Sequence, residues 1–313
     1  MILEPETRKG YYISSETKKL WAVEMELLKK LLDVCKKHNL KIWASGGTLL
    51  GAVREHGFIP WDDDIDMAML REDYDKLQIV AKTEFHDPFF FQSGFTDFFP
   101  RGFSKLRMNG TAAIEKGYIF SNMHQGIFID IFVYDEIPDD VETQNSFVQI
   151  IQEKECVLQR YCYESYRLFH PFYSIKLFLF KLPIYLKGFK CYFKEYDSTL
   201  KQHSGTNITS LCFLSDYKRC KRNISDYDNT LYVPFEDILI PIPSSYDIIL
   251  RNHFGDYMVP VKGASMHSFI IFDADKSYLD YLPKLRSEKR RKRWIDRKNW
   301  LIRFMRFNVF YLF

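Results

Sequence analysis

Phe58-Ile59-Pro60-Trp61-Asp62-Asp63-Asp64-Ile65-Asp66-Met67-Ala68-Met69-Leu70 is the stretch on which the fold turns. Four aspartates stand at the head of an apolar run, and Ile65 to Leu70 predicts a strand entering a core. Side chains alternate along a strand, so Asp64 and Asp66 should point the same way. Two like charges side by side repel unless a cation lies between them. Hard oxygen ligands favour Mg²⁺ or Mn²⁺, which also bind phosphates. A solvated acidic turn accounts for Asp62 and Asp63, but accounts less well for a run that leads into apolar residues.

Upstream, Lys41 to Ala44 predicts a short strand that runs into Ser45-Gly46-Gly47-Thr48. Glycines there allow close approach of the backbone to a ligand, and a helix N-terminus offers unpaired N–H groups to phosphate. Thr48 is the expected cap of a helix from Leu49 to Arg54, ended by His56-Gly57. By itself such a turn is also an ordinary tight turn. Further upstream, Leu20, Val23, Leu27, Leu28, Leu31, Val34 and Cys35 recur on one face of a helix that starts at Ser14-Ser15 and stops near His38-Asn39.

Downstream, a helix is expected over Glu72 to Lys82 and strands over Phe89 to Gln92 and Phe103 to Met108. Gly126 to Val133 is the most strand-like run, stopped by Pro138. It contains a lone acid, Asp130, which is costly to bury unless paired or metal-bound. The plainer reading is a strand-end aspartate bonded to backbone or to an arginine. Lys105 and Arg107 share one strand face and, with Arg54, are candidates to neutralise phosphate charge. His124 is a candidate binding residue; His253 and His267 read as structural. Trp61 reads as packing beneath the acidic loop. Val141 to Tyr196 predicts cationic helix broken at Pro171 and Pro183, 207–229 predicts loop, Tyr232 to Pro243 a hairpin and Ser245 to Asn252 a helix.

The whole chain of 313 residues carries a net charge of +3 and is 46% hydrophobic, enough for a sizeable core. Six scattered cysteines lack zinc-knuckle spacing and are expected to be reduced, as in the cytosol. The N-terminus predicts no signal peptide, and no uncharged run is long enough to span a bilayer. Charge is uneven: Lys284 to Phe313 holds eleven Lys and Arg against Glu288 and Asp296. Aromatic residues such as Trp300 and Phe304 with Arg303 and Arg306 on a polar edge suit a membrane headgroup region or a helix docked on the chain itself. No nucleic-acid module accompanies this basic run, so nucleic acid is not an expected partner.

The order of these parts, a Gly-Gly-Thr helix start, an acid-apolar-acid strand and a third strand acid, resembles the nucleotidyltransferase fold. Gly47-Thr48-Leu49-Leu50-Gly51-Ala52-Val53-Arg54 followed by Phe58 to Asp66 resembles, more narrowly, the signature of the LicD family. So do Lys105-Leu106-Arg107, His124 to Phe132, Ile242-Pro243 and His253-Phe254-Gly255-Asp256-Tyr257-Met258. Val133-Tyr134-Asp135 departs from the pattern, since many relatives carry proline before the last aspartate. The resemblance implies a mixed α/β (α+β) domain over 14–265, its mixed sheet flanked by helices, with a helical insertion at 140–200 and a basic segment at 276–313. It implies transfer of phosphocholine, or a similar alcohol phosphate, from CDP-choline or another CDP-alcohol donor to a glycan or lipid-linked glycan acceptor at the inner face of the membrane. Asp64, Asp66 and Asp130 would hold the metal, and Gly46, Gly47 and Thr48 the donor phosphates. Nucleotidyl transfer from an NTP and an inactive glycan-binding subunit are the alternatives.

Overall fold

The computed structural model describes residues 3–162, 171–211, 217–261 and 269–309. His267 and Cys212 lie outside them. In chain order the elements are β1 (Glu6–Arg8), β2 (Tyr11–Ile13), α1 (Ser15–Lys37), β3 (Trp43–Ala44), α2 (Gly46–Arg54), β4 (Asp66–Leu70), α3 (Arg71–Glu84), β5 (Phe89–Gln92), α4 (Gly94–Asp97), β6 (Ser104–Met108), β7 (Ala112–Glu115) and β8 (Phe128–Ile137). There follow α5 (Val141–Cys162), α6 (Pro171–Lys187), α7 (Phe189–Leu200), β9 (Ile208–Ser210), β10 (Arg222–Asn223), β11 (Thr230–Phe235), β12 (Ile238–Pro243), α8 (Tyr246–Phe254), β13 (Phe269–Asp273) and α9 (Tyr278–Val309).

The main sheet is mixed, with β8 at its centre. β4 runs parallel along one edge of β8, with Asp66 opposite Asp130. Two antiparallel partners extend the sheet from β8: β6 pairs with its first half, Lys105 opposite Asp130, and β9 with its end, Asp135 opposite Ser210. β3 pairs with β4, β5 with β6 and β10 with β9, so the protein has the expected mixed α/β architecture. Ten residues of continuous β8 explain why the run from Phe128 ends only where Pro138 removes a ladder donor.

α1 buries Leu20, Leu27, Leu28, Leu31, Val34 and Cys35 as its spacing predicts, with Ser14 accepting from the Thr17 N–H at its start. Trp21 stacks on Phe58, ring centroids 4.5 Å apart, and its indole N–H donates to the Asp62 carbonyl. The aromatic pair therefore anchors the acidic loop to α1.

Several local expectations are corrected. Ser45, not Thr48, occupies the N-cap position of α2, which starts three residues earlier than expected. Pro183 lies inside α6, and the helical run is interrupted instead at Gly188, whose φ of 81° only glycine adopts readily. Pro171 opens α6, where a missing N–H costs nothing. The expected loop over 207–229 contributes β9 and β10 to the main sheet. The basic segment expected at 276–313 contains α9. Its first half docks on the chain itself: Leu282 is buried, and the Arg286 guanidinium donates to the carbonyls of Ile119 and Ser121. Trp294 and Ile295 are exposed. Among the described residues no helix is long and apolar enough to cross a membrane.

Candidate active site

Backbone bonds fix the head of β4. The Ser45 N–H donates to the Asp66 carbonyl at 2.9 Å, and the Asp66 N–H donates to the Thr48 hydroxyl at 2.8 Å. The Asp130 N–H donates to the Ile65 carbonyl at 2.9 Å. Thr48 therefore holds the strand that carries Asp66; it is buried, with its oxygen directed at that backbone rather than free as a cap. Register then places three side chains in one row across adjacent strands: Asp66 on β4, Asp130 on β8 and Lys105 on β6. Lys105 Nζ stands 2.8 Å from Asp130 Oδ1, and both residues are nearly buried.

Asp64 precedes β4 instead of lying in it, so its pairing with Asp66 comes from the loop and not from strand alternation. The carboxylate oxygens of Asp62, Asp63 and Asp64 lie within 4.8 Å of one another. Burial pushes the Asp66 carboxyl well above the usual range, with Asp64, Asp130 and Asp62 adding to the rise. Asp62 is pushed up by burial and then by Asp64.

Glu24, from α1, is a further contributor. It is only 1% exposed, its Oε2 has no hydrogen-bond partner, and its carboxyl is raised by burial and then by Asp64, Asp63, Asp62 and Asp66. Asp66 Oδ1 is likewise shut off from solvent without a partner. Unpartnered acidic oxygens beside more carboxylates are what a hard divalent cation satisfies, so the donor set fits Mg²⁺ or Mn²⁺. Sequence reading missed Glu24, Asp62 and Asp63 as members of this group. The signal for Glu24 was an acid on the buried stripe of α1, four residues from both Leu20 and Leu28.

The N-terminus of α2 faces this group. A Cβ on Gly46 would lie 2.9 Å from Asp66 Oδ2, and one on Gly47 2.6 Å from Asp62 Oδ2. The glycines thus let the partially positive helix start approach the acids closely. They open into a cleft of about 990 Å³, lined also by Trp61, Tyr134, Tyr227, Arg54 and Arg222. Trp61 is partly buried and meets Tyr11 edge-on, as core packing predicts, while also lining the cleft.

The remaining basic candidates divide. Arg54 lines the cleft, but its guanidinium is bonded to Glu55 and to the Tyr257 carbonyl at 2.8 Å. Arg107 is committed to Gln92 and the Gly126 carbonyl, and burial lowers it to about 10. His124 is not among the cleft residues. Its Nδ1 accepts from the Gly126 N–H, its Nε2 meets Asn109 Oδ1, and its ring stacks on Phe90. Burial and Arg107 push it down to about 3, so the ring is neutral and positions the loop before β8. His253 does line the cleft. Arg222, which sequence reading did not single out, is 5% exposed and keeps a buried Nε without a hydrogen-bond partner while its NH1 serves two carbonyls.

Residues 39–183 match the LicD/FKTN/FKRP nucleotidyltransferase domain. Over these residues the chain is similar to the LicD family. It is 26% identical over 265 residues to the lipopolysaccharide cholinephosphotransferase LicD of Haemophilus influenzae, covering 77% of this chain and 92% of that protein. It is also 31% identical over 137 residues to an uncharacterized protein of Rickettsia prowazekii, covering 44% of this chain and 47% of that one. The matched region begins before β3 and contains the acidic loop, Asp66, Lys105 and Asp130; α7 to α9 lie beyond it.

Proposed function

We propose that this protein acts as a member of the LicD family and transfers phosphocholine, or a closely similar alcohol phosphate, from a CDP-alcohol to a sugar hydroxyl of a cell-surface glycan, releasing CMP. The observation that carries the reading is the row Asp66–Asp130–Lys105, whose Asp66 lines one cleft together with Asp62 to Asp64 and the glycines that open α2. Near full-length similarity to a lipopolysaccharide cholinephosphotransferase supports the choice of phosphocholine and of a glycan acceptor.

A divalent cation held by Asp64, Asp66 and Asp130, with Asp62 and Glu24 at its margin, would supply charge neutralisation at the phosphates. The chain's own groups do the rest. The N–H groups that open α2 orient phosphate oxygens, and the glycines exclude side chains that would hold those oxygens away. Arg222, which lines the same cleft with a spare donor, pairs with donor phosphate or base. The acceptor oxygen attacks the phosphorus that bears the alcohol, and the bond to the bridging oxygen breaks. CMP leaves with that oxygen and its electron pair, and the hydroxyl proton passes to a carboxylate, Asp130 in the first instance. Lys105, 2.8 Å from Asp130, orients that carboxylate. The basic α9 is proposed to contact the inner face of the membrane, where a lipid-linked acceptor would be presented.

Incubation with Mg²⁺, CDP-choline and the glycan, followed by ³¹P NMR, tests the reaction. CMP and a new phosphodiester are the expected products. Pyrophosphate from an NTP, with no CMP from any CDP-alcohol, would establish nucleotidyl transfer instead; no product from either donor would point to a binding subunit.

A further inference from the structure

α6 turns one face inward and leaves the other bare. Leu177, Lys181 and Ile184 are buried at helical spacing against α5 and α7. The opposite face carries Ile175, Phe178, Leu179 and Leu186, exposed by 53 to 76%, with Tyr185 at 46%. Five large apolar side chains on one short helix are more than scattered surface residues amount to.

The patch continues through touching rings. Phe178 stacks on Tyr185 at 5.6 Å, Tyr185 meets Tyr161 at 5.7 Å, Tyr161 meets Phe189 at 5.9 Å and Phe189 meets Phe98 at 5.3 Å. Phe98 is exposed again, held at a φ of 55° that a bulky residue adopts only under constraint. Its chain neighbour Phe99 places a ring 5.8 Å from Lys105 Nζ, the partner of Asp130. The ribbon therefore ends at the same strand row as the site.

Charge decides what covers it. From Ser165 to Lys194 the sequence holds no Asp or Glu, while Lys176, Lys187, Lys190 and Lys194 are exposed around the patch. Of these, Lys187 is paired with Glu195. A second copy of the same face would bring lysines against lysines. An anionic lipid surface accepts both the apolar side chains and the lysines at their margin.

We propose that the outward face of α6, continued to Phe98, seats the protein on an anionic membrane surface independently of α9. Lipid binding is read without turnover, so its failure leaves the proposed reaction untouched, and the reverse also holds.

The test is flotation of the full chain with vesicles of phosphatidylcholine alone or mixed with phosphatidylglycerol. Binding is expected to the mixed vesicles and to fall at least about tenfold in the double variant Phe178→Glu, Leu179→Glu and in Lys190→Glu, Lys194→Glu. These side chains are exposed, so circular dichroism and CMP release with a soluble acceptor should be unchanged. The control pair Arg291→Glu, Lys292→Glu on α9 should retain the α6-dependent part of the binding. Full loss in that control with none in the α6 variants would overturn the proposal. So would a dimer that the Phe178→Glu, Leu179→Glu variant turns into a monomer while vesicle binding stays intact.

Discussion

Asp66 sits where backbone, burial and charge converge. Its backbone is clamped by Ser45 and Thr48, and its carboxyl is crowded by Asp64, Asp130 and Asp62. Asp66→Asn removes the crowding, so the metal-free protein should melt at the same temperature or higher, while stabilisation by added Mn²⁺ disappears. Thermal melts with and without the ion check both signs. His124 gives a pH signature. It is held neutral down to about 3 in the fold, against about 6.5 when unfolded. Its contribution is complete above the unfolded value and is lost as pH falls from there toward 3, by at most about 1.4 kcal/mol per pH unit. Urea unfolding at pH 7 and pH 5 should show a smaller drop in His124→Gln than in wild type. At this scale Asp64, Asp66 and Asp130 were legible because acids in apolar runs are conspicuous. Glu24 was not, because nothing local shows which strand or loop its helix face meets. Asp62 and Asp63 looked like turn residues because their burial comes from α1 and the start of α2, distant in sequence.

Elements position these groups. The start of α2 needs its glycines for two different reasons. Gly46 has a φ of 52°, so Gly46→Ala should cost about 1–2 kcal/mol in urea unfolding. Gly47→Ala displaces the Asp62 carboxylate, a movable side chain, and should weaken metal binding more than stability. Arg71, at the head of α3, joins the sheet to the helical insertion: it is bonded to Asp135 on β8 at 2.6 Å and reaches Asp197 on α7 at 3.5 Å. Arg71→Ala leaves the buried Asp135 without its cation, while Asp197 keeps Lys201 at 2.8 Å, and should cost about 3–5 kcal/mol, read from the urea midpoint. The strands β4, β5, β6 and β8 and the helices α1, α3 and α8 could be read from period and turn residues. β9 and β10 could not, since two or three residues carry no period and owe their conformation to the edge of β8. Pro183 misled because neighbouring helices α5 and α7 hold α6 together across it.

The whole molecule joins an acidic cleft to two cationic helical surfaces. The cleft gathers residues from β3, α2, β4, β8 and the segment of β10 to α8, so only the fold reveals that Arg222 lines it together with the acids. The aspartates at the head of β4 are proposed to hold the divalent ion that the transfer requires. Titration of Mn²⁺ into the protein, followed by the electron paramagnetic resonance signal of the free ion, tests this most directly. Wild-type protein is expected to remove the signal, Mg²⁺ to restore it by competition, and Asp64→Asn and Asp66→Asn to leave it free while far-ultraviolet circular dichroism is unchanged. Equal Mn²⁺ binding by wild type and both variants would contradict it.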